Sequence, residues 1–249
     1  MIYIALTFWL LVIVLTAWGV HRLWSEMIPP RIVNAILLPG TLIAQLGHVL
    51  GLLITGATVT DTTLYGDSDS GNPRTTANPK PRIPVIGPVL IGMLPLLACA
   101  TALFFVAAAL GRPVLADLQT VKVGPTLPTT LAGFWQLLHD QITLVEAAVA
   151  AGMAADFTDW RTSLFVYLLI CLTIRIAPLP GSLRGSLCAI VLLGVGAAAI
   201  SSLFDIADPR VRQSWSILNL TVATLLFLMM ATLVIRGLVA LLRLIRQPA

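Results

Sequence analysis

Long stretches without a charged side chain are the feature that most restricts what this chain can fold into. They cover Ile2–Val20, Val33–Thr60, Ile83–Gly111, Gly185–Phe204 and Ser214–Ile235. A helix needs about 20 apolar residues to cross the hydrocarbon core of a bilayer. Charged residues make up only 10% of the chain, whereas soluble domains contain about 25%. The chain is therefore expected to fold in lipid, and the ordinary soluble fold classes are excluded.

These runs predict an all-α polytopic membrane protein that forms a single membrane domain, 1–249, with about six transmembrane helices. The predicted spans are about 2–21, 33–56, 83–110, 158–177, 185–204 and 214–236. The fourth is short, because its uncharged part, Thr162–Ile174, lies between Arg161 and Arg175. It can still cross if the two arginines extend toward opposite interfaces.

Two connections have their own patterns. In the segment 129–152, apolar residues recur at helical spacing, at Phe134, Leu138, Ile142, Val145 and Val149. The pattern predicts an external amphipathic helix in the interface or across the end of the bundle. The segment 61–82 is rich in Asp, Ser, Asn, Gly and Pro, and it predicts an irregular polar loop.

The basic residues suggest an orientation and exclude one class of partner. Arg236, Arg243 and Arg246 follow the last run, and cytoplasmic ends are enriched in Lys and Arg. With six spans, both termini are then cytoplasmic, in a membrane expected to be a bacterial inner membrane. The formal net charge of +4 comes with no basic cluster interleaved with aromatics, so nucleic acid is not expected as a partner.

The second run contains the sequence LPGTLIAQLGHVLGLLITG, from Leu38 to Gly56. It resembles the motif helix of the site-2 protease family of intramembrane zinc metalloproteases, whose members carry H-E-x-x-H. In that motif the two histidines lie on one helix face and bind Zn²⁺, and the glutamate activates the metal-bound water. Here Ala44 stands in the position of the first histidine, Gln45 in that of the glutamate, and His48 is kept.

The resemblance covers roughly residues 30–190. The segment Ile91–Phe105 is similar to the proline-broken span that follows the motif helix, and Phe165–Ser186 to the segment that carries the third ligand, usually Asp. The corresponding turn, Pro178–Gly185, contains no Asp, Glu or His, and Ser182 is its nearest polar candidate. Because a catalytic zinc needs three protein ligands, we expect no catalytic residue, no metal and no cofactor. The resemblance thus implies a degenerate member of the family, a pseudoprotease.

Several residues have a structural interpretation beside a functional one. His48 is either a polar residue satisfied inside the bundle, a vestigial ligand in a structural role, or a ligand to a pigment or metal. Gly47 and Gly51 form a G-x-x-x-G step, which favours close helix packing. Gly194 and Ala198 belong to a second small-residue stretch, which could contact a neighbouring helix or a partner's helix.

Other polar or sulfur-containing residues give weaker signals. His139, Asp140 and Glu146 could be considered as a metal or acid–base site. Because adjacent residues on a helix diverge by about 100°, His139 and Asp140 do not face each other. A solvated polar face is therefore the favoured interpretation of these three residues. Asp61, Asp67 and Asp69 only partly match a calcium loop. The cysteines lie in apolar runs and lack a C-x-x-C pair, which favours packing.

The retained fold pattern beside an incomplete motif predicts a structural or regulatory subunit of a larger membrane complex. Its expected partners are transmembrane helices of other subunits, and lipid. One alternative is an active intramembrane zinc protease with ligands that the motif does not reveal. A second is a small transporter or lipid-handling protein, which would need polar residues at mid-depth beyond Gln45, His48 and Asn219.

Overall fold

The computed structural model describes residues 2–57, 59–63, 74–77, 86–111, 130–176, 187–188, 190–192, 194–195 and 208–246. Within them the chain forms seven named helices and two strands. These are α1 (Ile2–Met27), α2 (Pro30–Ile36), α3 (Leu38–Ile54), β1 (Val59–Thr63), β2 (Arg74–Ala77), α4 (Ile86–Leu110), α5 (Leu131–Ala154), α6 (Trp160–Arg175) and α7 (Asp208–Arg246). The described residues between 187 and 195 are helical as well.

Three of the described helices are long and apolar enough to cross a membrane: Thr7–Met27, Val89–Leu110 and Leu218–Val239. Together they identify a helical membrane protein, as the uncharged runs predicted. The predicted span 33–56 consists of α2 and the shorter apolar helix α3, and the span 158–177 corresponds to the 16-residue α6. Most of the predicted span 185–204 lies outside the described residues.

The break between α2 and α3 has a local cause. Pro39 occupies the first turn of α3, where the missing N–H of a proline is harmless. Inside a continuous helix, its ring would clash with the carbonyl four residues earlier. The chain therefore turns at Leu37 and starts a new helix. At the other end, Gly56 has a φ of 77°, a left-handed conformation that commonly ends helices and that glycine adopts without strain.

Helix α3 packs closely against α4, and the two run in opposite directions. A Cβ atom on Gly51 would lie 3.0 Å from Cα of Ile91, and one on Gly47 would lie 2.8 Å from Cα of Pro95. Later residues of α3 thus meet earlier residues of α4. Because glycine has no side chain, the two backbones can approach this closely.

Helix α6 lies along α2 and the start of α3 and runs parallel to α3. The Tyr167 hydroxyl donates to the carbonyl of Ile36 at 2.8 Å. One turn later, a Cβ atom on Gly40 would overlap the carbonyl of Cys171. Phe165, at 0% exposure, anchors the other end of α6 in a core cluster that includes residues of α4, α5 and α7.

Helices α1 and α7 pack side by side and run in the same direction. The Trp24 indole N–H donates to the Thr232 hydroxyl at 2.8 Å, and further along both helices Arg236 pairs with Glu26 at 2.7 Å. The C-terminal end of α7 therefore lies at the end of the bundle where α1 finishes. A protein with both termini cytoplasmic requires these two spans to be antiparallel, so the packing does not support that prediction.

The predicted amphipathic segment forms helix α5, capped by Thr130, whose hydroxyl accepts a hydrogen bond from the Gly133 N–H at 3.1 Å. Its buried face matches the predicted one only in part: Val145 packs against the core cluster, but Ile142 is 57% exposed while Gln141 and Leu144 are 4% exposed. Leu144 and small residues such as Ala151 pack into the core cluster with α7. Small side chains allow close helix approach, and those of α5 lie on its buried face together with Leu144.

The segment 61–82, predicted as an irregular loop, contains part of a two-stranded antiparallel ribbon. Strand β1 pairs with β2 with a shift in register between Val59 and Asp61. The two strands read VTDTT and RTTA, and the β-branched threonines favour extended backbone. Two of the aspartates considered for a calcium loop, Asp67 and Asp69, lie outside the described residues.

Candidate functional site

The three motif residues lie on α3, in the part of the bundle where α3 meets α4 and α6. Ala44 and Gln45 are each 2% exposed, and His48 is partly buried. Ala44 belongs to a core cluster that includes Cys99 of α4 and Ile176 at the end of α6. Ala44 is therefore enclosed by apolar packing.

His48 lies one helical turn beyond Ala44 and makes a protein contact. Its imidazole is hydrogen-bonded to the backbone of Ile91 in α4. This contact fixes the ring against the neighbouring helix and gives it a partner of the kind expected for a polar residue inside a bundle. It favours a structural role for His48 in this arrangement.

The packing residues singled out from the sequence lie at different contacts. Gly47 and Gly51 face the α4 backbone, and a Cβ atom on Gly47 would lie only 2.7 Å from the Leu94 carbonyl oxygen. Gly194 faces Thr7 of α1, where an added Cβ atom would overlap the threonine side chain. Ala198 lies outside the described residues.

The described side chains contain no group of three or more His, Cys, Asp or Glu residues that could hold a metal ion. The turn Pro178–Gly185, with Ser182, falls outside the described residues. His139 and Glu146 are exposed on α5 and Asp140 is partly exposed. The residues that the structure does bring together in the motif region are thus a buried alanine, a buried amide and one imidazole.

A second polar cluster, which sequence reasoning missed, lies at the end of α6. Arg175 is 6% exposed, and its Nη2 donates to Oδ1 of Asn34 in α2. Its Nη1 lies 3.5 Å from Nε2 of His21 in α1. The Arg175 side chain does not extend freely outward, because it is directed into the contact between α1, α2 and α6.

Two contacts position Arg175. Its backbone carbonyl accepts a weak hydrogen bond from the Cys99 thiol at 3.7 Å. A Cβ atom on Gly40 would lie 3.0 Å from the Arg175 Cγ, so the glycine provides the space that the arginine stem occupies. The sequence places Arg175 and Asn34 at the edges of apolar runs, which signals an unusual environment. It does not reveal that they meet, because 141 residues separate them.

The other arginine of this helix behaves as predicted. Arg161, in the first turn of α6, is exposed, and its guanidinium carbon lies 5.7 Å from the centre of the Trp160 ring. Asp159 caps the helix by accepting a hydrogen bond from the Arg161 N–H at 3.1 Å. The arginine at the start of α6 is thus exposed, whereas the arginine at its end is buried.

A search with the whole chain found no matching family model, no matching curated protein and no matching solved structure.

Proposed function

We propose that this chain is a catalytically inactive relative of the site-2 proteases, with a helical membrane domain in a bacterial inner membrane. In this proposal it serves as a structural or regulatory subunit of a larger membrane complex. The observation that carries the proposal is the environment of α3. One face of the motif helix packs closely against α4 and α6, yet on that face the positions of the first histidine and the glutamate hold Ala44 and Gln45, both 2% exposed.

The chemistry of these residues argues against hydrolysis. Zinc in a catalytic site takes three protein ligands and leaves a position for water. A methyl group cannot bind a metal, and a neutral amide cannot act as the general base. Because Ala44 and Gln45 are buried by protein, a metal at this position would also need the surrounding helices to move.

The opposite face of α3 supports an assembly role. Leu42, Leu46, Leu50 and Leu53 are 39%, 61%, 49% and 58% exposed and recur at helical spacing. In a membrane such a face contacts either lipid or another transmembrane helix. If the chain is a subunit of a larger complex, this leucine face of α3 packs against a transmembrane helix of a partner subunit.

Extraction in a mild detergent, followed by size-exclusion chromatography and mass spectrometry, tests the assembly role. We expect a complex larger than the monomer that contains a defined partner. The double variant Leu46→Ala/Leu50→Ala should lose the partner while still eluting as a folded monomer. Phe105→Ala, on a 65% exposed side chain of α4, is the matched control and should keep it. A wild-type chain that elutes as a monomer without a partner contradicts the proposal.

A zinc measurement on the same sample tests the loss of catalysis. The wild type should contain no stoichiometric zinc, and chelators should have no effect on any associated proteolysis. The triple variant Ala44→His/Gln45→Glu/Ser182→Asp should gain zinc if the chain has the site-2 protease arrangement. Stoichiometric zinc in the wild type, with proteolysis lost in His48→Ala, would establish the active protease instead.

A further inference from the structure

The Arg175 cluster contains a buried positive charge whose counter-charge is missing from the described part of the chain. Arg175 contacts a neutral amide, Asn34, and an imidazole, His21. Glu26 pairs with Arg22 and Arg236, and among the described side chains no carboxylate is paired with Arg175. An unpaired charge inside a membrane protein costs several kcal/mol, so such a group commonly has an anionic partner.

The guanidinium also has an unused donor. The Nε atom of Arg175 is buried and has no hydrogen-bond partner among the described residues. An arginine that presents Nε and a neighbouring terminal nitrogen can bind two oxygens of one carboxylate or phosphate group. The free donor therefore points to an oxyanion rather than to a further neutral group.

The position of the cluster along α1 indicates which oxyanions are available. His21 lies beside Arg22, whose guanidinium carbon is 5.4 Å from the centre of the Trp18 ring. One turn further, Glu26 and Arg236 form their partly exposed ion pair. Tryptophan and arginine side chains are typical of the membrane interface, where lipid phosphates are abundant. His21 is only partly buried, whereas Arg175 is 6% exposed, so His21 is the side of the cluster nearer its surroundings.

We infer that Arg175, together with Asn34 and His21, forms a binding site for the phosphate group of an anionic phospholipid. The phosphate accepts hydrogen bonds from the Arg175 guanidinium and neutralises its charge, with its access at the His21 side of the cluster. The bound lipid then links α1, α2 and α6. This site is independent of the motif residues of α3 and does not require the assembly proposed above.

Native mass spectrometry and thermal unfolding of the purified full chain test the site. The protein is compared in nanodiscs of phosphatidylglycerol and of phosphatidylcholine, and in detergent with inorganic phosphate. The wild type should retain phosphatidylglycerol about tenfold more strongly than phosphatidylcholine and should unfold at a higher temperature when the anionic lipid is present. Inorganic phosphate should give little protection, because it lacks the acyl chains that anchor the ligand.

Three variants separate a specific site from general attraction. Arg175→Gln should abolish the preference for the anionic lipid, and Arg175→Lys, which keeps the charge but loses the forked donor, should reduce it. Arg161→Gln removes an exposed arginine of the same helix and should preserve the preference. If Arg175→Gln does not fold, the comparison of Arg175→Lys with the wild type decides the test.

The remaining outcomes have defined meanings. Protection of the wild type, but not of Arg175→Lys, by inorganic phosphate alone would keep the oxyanion site and assign its ligand to the aqueous phase. Equal loss of preference in the Arg161 and Arg175 variants would overturn the site, as would a wild type without any preference. Replacement of the lipid by an acidic side chain of a partner subunit, detected by cross-linking to His21, would also overturn the lipid assignment.

Discussion

Arg236 and Glu26 form an ion pair of 2.7 Å between the C-terminal parts of α7 and α1. Together with the hydrogen bond from Trp24 to Thr232, this pair establishes that the first and last described helices run in parallel. Two parallel spans are separated by an odd number of further crossings, because a segment that re-enters and leaves on the same side does not change the side from which the next span starts. The contacts between α1 and α7 therefore limit the number of times that the chain can cross the membrane between these two helices.

The parallel arrangement predicts that the two termini lie on opposite sides of the membrane. Epitope tags at the N-terminus and C-terminus should differ in their accessibility to protease in sealed, oriented vesicles. Permeabilised vesicles serve as the control, since both tags should then be cleaved. Equal protection of both tags in sealed vesicles would contradict the packing of α1 against α7.

The close contact of α3 with α4 predicts that Gly47→Ala destabilises the fold by about 1–3 kcal/mol. The added Cβ would lie 2.7 Å from the Leu94 carbonyl oxygen, so the helices must separate. Unfolding of the purified protein by increasing fractions of SDS measures the change. Gly19→Ala is the control, because nothing lies within 4 Å of its added Cβ. It should be neutral or stabilising, by up to about 1 kcal/mol.

The core around α6 predicts a large loss of stability for Phe165→Ala. Phe165 is 0% exposed in a cluster of residues from four helices, and removing its ring leaves a cavity that costs about 3 kcal/mol. The same SDS titration should show a much smaller effect for Phe105→Ala, whose side chain is 65% exposed. Similar losses in the two variants would place Phe165 outside the packed core.

The turn before α6 predicts a local dependence on pH. The Asp156 carboxylate accepts hydrogen bonds from the Thr158 hydroxyl at 2.6 Å and its backbone N–H at 2.9 Å, and these bonds lower the pKa of Asp156 below its ordinary value. Because the bonds favour the charged form, their contribution is complete above about pH 4. It is lost as the pH falls through the lowered pKa.

Amide hydrogen exchange at Thr158, corrected for the intrinsic effect of pH, measures this change. Protection should decrease on acidification in the wild type. In Asp156→Asn, which cannot ionise, protection should be nearly independent of pH in the same range. A wild-type profile as flat as that of the variant would show that the carboxylate does not hold the turn.

The predictions from sequence were most successful where one physical property dominates. Helices such as α4 and α7 follow from runs of apolar residues, since the bilayer excludes unpaired backbone groups. The apolar face of α5 was only partly right, because the periodic pattern includes both Val145, which packs against the core, and Ile142, which is 57% exposed. The helix contacts of Arg175 were not foreseen, because an arginine at the end of an apolar run can extend outward or turn toward neighbouring helices.

The sequence by itself determined that this chain is a helical membrane protein and that an H-E-x-x-H motif is absent from Leu38–Gly56. Both conclusions depend on residue types and their spacing along one helix. Only the tertiary structure decided that α1 and α7 are parallel, and that Arg175 meets Asn34 and His21. These contacts join residues more than 100 positions apart. They depend on how whole helices pack, through glycines and small side chains, and local patterns do not encode that choice.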